Sequence, residues 1–172
     1  MNRAEQFVFT LCRQSFLSLW SYPNPQGKGG KELCDILVVC DPYVLIFSVK
    51  EIGLKETGDI QVDWERWRKA AVEESAKQIY GAERWLGTAM SVVTKSGEIA
   101  LNIPALSVRR VHRIAVALGS RGKVPISIGD MGKGYVHVFD EFALEAVMTE
   151  LNTITDFIQY LQRKEALQET DL

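Results

Sequence analysis

Two periods of apolar residues alternate along this chain. From about Arg3 to Gln14, Val8, Leu11 and Cys12 recur at helical spacing. SFLSLWSY then favours a strand, closed by the turn-rich PNPQGKGG. Two more strands, ELCDILVVC and YVLIFSVKEI, meet at Asp41-Pro42, and GLKETGDIQV is a polar loop. Asp63 is the expected cap of a long helix, DWERWRKAAVEESAKQIYGAERWLG, which Gly87 can end. SVVTKSGEIAL resembles a hairpin turning at Gly97, and SVRRVHRIAVALG and YVHVF are strands around the loop and edge segment RGKVPISIGDMGKG. DEFALEAVMTEL and the run from Thr153 to about Leu167 are amphipathic helices. The order predicts an α/β sandwich.

The two middle strands carry the chemical interest. If Asp41 and Pro42 are a two-residue turn, Cys40 faces Tyr43, Asp35 faces Ser48 and Leu33 faces Lys50. Alternation then puts Asp35, Ser48 and Lys50 on one face and Cys34, Ile36, Val38, Phe47 and Val49 on the other. Both faces are mostly apolar, so helices should cover both, giving three layers with the sheet in the middle. A buried, unpartnered carboxylate or ammonium costs several kcal/mol, roughly, which leaves two readings of Asp35 and Lys50. Either they are a structural ion pair or sit at strand ends that reach solvent, or they are a metal ligand and a catalytic lysine.

Composition narrows the setting. The chain has 172 residues, 47% of them hydrophobic, enough for one sizeable core and a single domain over residues 1–172. Its charged tail is also what a truncation point in a longer chain looks like. A net charge of -2 does not advertise a nucleic-acid binder, although local basic patches can do that work. Three cysteines without metal spacing, and no signal or membrane segment, lead us to expect a soluble cytoplasmic protein of prokaryotic type.

An N-terminal helix with Glu5, a strand with Asp35, a neighbouring strand with Ser48-Val49-Lys50 and a following helix with Gln78 resemble the PD-(D/E)xK nuclease superfamily. The resemblance runs from about Arg3 to Leu118. It implies a restriction endonuclease-like αβββαβ core with a mixed sheet, followed here by C-terminal helices. It also implies Mg²⁺ or Mn²⁺ as cofactor and cleavage of phosphodiester bonds in DNA, with RNA as the other substrate, in restriction, repair or defence. By that likeness Asp35 is a metal ligand, Lys50 the catalytic lysine and Glu5 the first-helix acid.

Ser48 stands where the superfamily has Asp or Glu. Some restriction enzymes of the superfamily also read S-x-K and take a glutamate from the next helix. The inward stripe of that helix, traced at helical spacing, runs Trp64, Trp67, Ala71, Glu74, Gln78, Ala82 and Trp85. Glu74 is therefore the candidate second metal ligand and Gln78 a supporting or substrate contact; a polar pair at a helix boundary is the plain alternative.

Arg109, Arg110 and Arg113 cluster at a strand start and are candidate phosphate contacts. Arg66, Arg68 and Lys69 read better as a solvated helix face, and the tryptophans as core. His112 and His137 have no Cys or Ser partner at useful spacing and read as core or surface histidines. The C-terminal helices brace the sheet or expose a face for a homodimer. Besides the nuclease, two readings stay open: a catalytically inactive nuclease-fold module binding nucleic acid or protein, and a structural α/β domain.

Overall fold

The computed structural model describes residues 1–89, 91–93, 99–126 and 129–169. Gly97, the expected hairpin turn, lies outside them. Helix α1 (Arg3–Gln14) begins at a capping box: Asn2 accepts from the Glu5 N–H, and the Glu5 carboxylate accepts from the Asn2 N–H in return. The expected strand SFLSLWSY is mostly turn. Ser15 Oγ and Ser21 Oγ donate to the carbonyls of Cys12 and Leu17, bending the backbone, and only β1 (Ser21–Pro23) joins the sheet.

Strands β2 (Ile36–Cys40) and β3 (Tyr43–Glu51) form the expected hairpin, with Cys40 opposite Tyr43 and Ile36 opposite Phe47. The crossover from β3 leads through α2 (Ile60–Arg68) and α3 (Glu74–Leu86) to β6 (Arg110–Leu118), which pairs in parallel with β3. A small hairpin, β4 (Ser91–Val93) and β5 (Ile99–Asn102), stands apart. Strands β7 (Gly129–Asp130) and β8 (Tyr135–Phe139) complete a six-stranded mixed sheet in the order β1-β2-β3-β6-β8-β7. Helices α4 (Glu141–Glu150) and α5 (Ile154–Glu169) follow.

Helices cover both faces, as the doubly apolar strands require. On one face Leu37, Val39, Val44 and Ile46 pack with Trp67, Ala71, Ile79 and Leu86 of the crossover. On the other, Ile36, Val38, Leu45, Phe47 and Val49 pack with Val8 and Cys12 of α1, Leu144 of α4 and Phe157 and Leu161 of α5. Of the three free cysteines, Cys12 and Cys34 are buried and Cys40 is half-buried. No helix among the described residues is long and apolar enough to cross a membrane.

The crossover departs from expectation in two ways. Its cap is Asp59, four residues before Asp63; the Asp59 side chain accepts from the N–H groups of Gln61 and Val62. Asp63 is buried instead and ties down the preceding loop, accepting from both the N–H and the hydroxyl of Thr57 at 2.7 Å. A π turn, Lys69–Glu73, separates α2 from α3 and adds a residue to the helical period. Beyond it the buried stripe is Ser75, Ala76, Ile79, Ala82 and Leu86 rather than Glu74 and Gln78.

Candidate functional site

The β2–β3 hairpin brings the expected residues together at the end of β3, with one change of geometry. Ser48 and Lys50 project toward α3, as alternation from Val44 and Ile46 demands. Asp35 sits just before β2, where the ladder slips. Its N–H donates to Phe47 O, although Phe47 is the partner of Ile36. The slip is a bulge in effect, and it moves Cys34 to the α3 side, against the expected alternation.

Instead of standing on the Ser48 face, the Asp35 carboxylate turns into the plane of the sheet. There Oδ2 accepts the backbone N–H of Val49 at 2.5 Å, and Oδ1 has no hydrogen-bond partner among the described residues. Only 3% of Asp35 is exposed. Burial pushes its pKa from 3.8 up to about 6; the Val49 N–H opposes this, Glu5 adds to it, Lys50 opposes it and Glu32 adds again. The in-plane position explains how groups from opposite faces, Glu5 on α1 and Lys50 toward α3, both act on one carboxylate.

Around this acid the other candidates take distinct places. Ser48 is fully buried and donates to Gln78 Oε1 at 3.0 Å, joining β3 to α3. Lys50 is half-buried at the sheet end. Glu5 is largely covered and occupied by its own capping box. Glu74 is not on the inward stripe, because the π turn rotates it outward. It is exposed and pairs with Lys77 at 2.5 Å; that hydrogen bond and charge lower its pKa, with smaller help from Lys69 and Lys50. The charge of Lys50 thus reaches both Asp35 and Glu74.

The arginines divide. Arg109 is spent inside the protein, donating to Pro104 O at 2.9 and 2.7 Å and to Leu86 O at 2.6 Å. Arg113 forms a two-pronged pair with Glu83, 2.6 Å on each prong. Arg110 alone of the three is exposed, lying over the Tyr43 ring. Arg109 lies just before β6 and Arg110 and Arg113 in its first half, toward the opposite end of the strand from Ala117, the partner of Lys50.

A cavity of about 590 Å³ runs along the other flank of α3, lined among others by Arg68, Lys77, Tyr80, Arg84, Asp130 and Lys133. Its floor is shaped by the β7–β8 turn, where Asp130 Oδ1 accepts from the N–H groups of Gly132 and Gly134 and Tyr80 donates to Gly134 O. The Arg68 Nε is buried there without a hydrogen-bond partner among the described residues. Glu74 links cavity and sheet end electrostatically, since its partner Lys77 lines the former and Lys50 belongs to the latter.

Sequence reasoning missed one cluster. His112 on β6 and His137 on β8 are buried on the α5 side of the sheet, and Glu165 of α5 stands between them. Nothing local in sequence announces it, since Glu165 lies 53 residues after His112. The spacing of Phe157, Leu161 and Glu165, one acid on an inward helical stripe, was the available signal. This trio is also the one group of three metal-ligating side chains found close together among the described residues.

Comparison with protein-family models, with curated proteins and with solved structures gives no match.

Proposed function

We infer that the protein is a divalent-cation-dependent phosphodiesterase of the PD-(D/E)xK type acting on nucleic acid, DNA first. The observation that carries this reading is the state of Asp35. A carboxylate buried, raised to about 6 and crowded by Glu5 and Glu32 is poorly placed for stability, and a cation beside it would offset the burial penalty and both repulsions at once. The order α1, β1, β2, β3, crossover helix, β6, with β3 and β6 parallel, supports a restriction endonuclease-like core.

The donors fit a hard ion. Mg²⁺ is held by one or two carboxylates and keeps most of its waters, so a third converging side chain is not needed. Asp35 would hold it through Oδ1, with Glu5 or Glu74 as the second acid; either must first leave its present partner, Asn2 or Lys77. When bound, the ion supplies Lewis-acid polarisation of the phosphate and acidifies water.

This chain's residues do the rest. The Lys50 ammonium stabilises negative charge on the attacking oxygen and on the phosphorus-bound oxygens. The Ser48–Gln78 bond locks β3 against α3, fixing where Lys50 points. Arg68, Lys77, Arg84 and Lys133 in the cavity wall are the phosphate-gripping cations. They replace Arg109 and Arg113 in that role.

The test is incubation of the full chain with supercoiled plasmid and with single-stranded DNA and RNA, in Mg²⁺ or Mn²⁺. Cleavage by wild type that disappears in both Asp35→Ala and Lys50→Ala supports the enzyme. Binding without cleavage under either ion instead favours an inactive nuclease-fold module, for which the absent acid at position 48 is the reason.

A further inference from the structure

The His112, His137 and Glu165 cluster lies apart from the site just described. Five residues of β6, roughly 17 Å at strand rise, separate His112 from the partner of Lys50, and the two sites use opposite faces of the sheet. We propose that His112, His137 and Glu165 form a binding site for a transition-metal ion of the zinc class, which fastens α5 to β6 and β8.

Three observations point there. The donors come from three elements and converge: His112 Nδ1 and His137 Nε2 lie 2.8 and 2.9 Å from the same oxygen, Glu165 Oε1, and all ligand atoms fall within 4.8 Å of one another. The rings are held in place before any ion arrives. Tyr43 stacks on His112, and the Tyr135 ring centre is 4.8 Å from that of His137. Glu165 is 31% exposed while both histidines are buried, so an ion has a path in and a dry seat at its end.

The donor chemistry selects the ion. Two imidazoles and one carboxylate match Zn²⁺ and its neighbours and do not suit Mg²⁺, so the two sites sort different metals. Burial lowers the pKa of His137 against the pull of Glu165, keeping the ligating neutral form. Burial alone would raise Glu165, but its hydrogen bonds to the two histidines win and hold it at about 2.

As a plain hydrogen-bonded clasp, each neutral histidine points its N–H at Glu165, leaving His112 Nε2 and His137 Nδ1 buried without partners among the described residues. On metal binding each proton moves to that outward nitrogen, the inward lone pairs take the ion, and no proton is released overall. Tyr135 Oη, buried and also without a hydrogen-bond partner among the described residues, is the protein's own candidate for contacting a water at the fourth position.

The full chain, stripped with chelator and dialysed, is titrated with Co²⁺ and followed by visible absorption, then challenged with Zn²⁺. We expect one equivalent of Co²⁺ to bind with the intense band of low coordination, bleached by Zn²⁺. Zn²⁺ should also raise the melting temperature by roughly 5–10 °C at saturation. Glu165→Gln is the informative variant, because its amide oxygen still accepts from both histidines and the clasp survives. It should weaken Co²⁺ binding by more than the roughly 10–100-fold that loss of a supporting partner costs. Asp35→Asn should leave the band unchanged. No band in wild type, equal binding by Glu165→Gln, or a melting temperature indifferent to Zn²⁺ each overturns the site.

Discussion

Replacing Asp35 by asparagine should make the protein more stable at neutral pH while removing the proposed nuclease activity. In the folded chain the carboxyl has a pKa of about 6 against 3.8 when free. At about 1.4 kcal/mol per tenfold change in acidity, that difference is about 3 kcal/mol of destabilisation at neutral pH. The neutral amide would remove it. Against that gain stand the weaker acceptor offered to Val49 N–H and an amide NH₂ with no evident partner, together about 1–2 kcal/mol. The net expectation is a variant stabler by about 1–2 kcal/mol near pH 8.

The pH dependence is the sharper readout. Between pH 3.8 and about 6 the folded wild type holds a proton on Asp35 that the unfolded chain has lost. Its stability from this group therefore falls as pH rises through that window and is level above it. His137, with its pKa lowered, and Glu165, held at about 2, act in the opposite sense and lose stability as pH falls below 6.5 and below 4.5. Subtracting the variant's urea-unfolding free energy from wild type's at each pH cancels those groups. The variant's advantage should grow by about 2 kcal/mol from pH 4 to pH 7. A difference that stays flat across that range refutes the placement of a buried, crowded carboxylate at position 35.

Other substitutions follow from single contacts. Ser48→Ala removes the buried bond to Gln78 and should cost about 1 kcal/mol in chemical denaturation, with a larger proportional loss of cleavage as Lys50 loses its fixed direction. Gly119→Ala should destabilise by about 2–3 kcal/mol or more, because φ is +96° there and the added Cβ would sit 2.5 Å from Ile52 O; a variant as stable as wild type would contradict the crossing of the two backbones. Arg109→Ala should lower stability by about 2–3 kcal/mol and leave DNA binding by gel shift unchanged, whereas Arg84→Ala and Lys133→Ala should do the reverse.

What the chain revealed in advance was set by short-range physics. The Cys40–Tyr43 register and the grouping of Ser48 with Lys50 follow from a two-residue turn and strict alternation, and they hold. Alternation failed at Asp35 because a side chain took the place of a ladder bond, which no period reveals. Helical tracing failed at Glu74 because it assumes 3.6 residues per turn through a stretch where Lys69–Glu73 winds as a π turn. Arg109 and Arg113 look like a basic patch in one dimension; their partners, Leu86 and Glu83, come from the end of α3. The His112–His137 pair needed parallel strands side by side and a helix from the far end of the chain, which is tertiary information.

The most direct test of the account is a side-by-side plasmid cleavage assay with Mg²⁺, using wild type and Asp35→Asn, each checked for folding by near-ultraviolet circular dichroism. Wild type should nick the plasmid, and a variant that is at least as stable should not. Cleavage by the variant at the wild-type rate, or intact plasmid with both proteins, would contradict the nuclease reading.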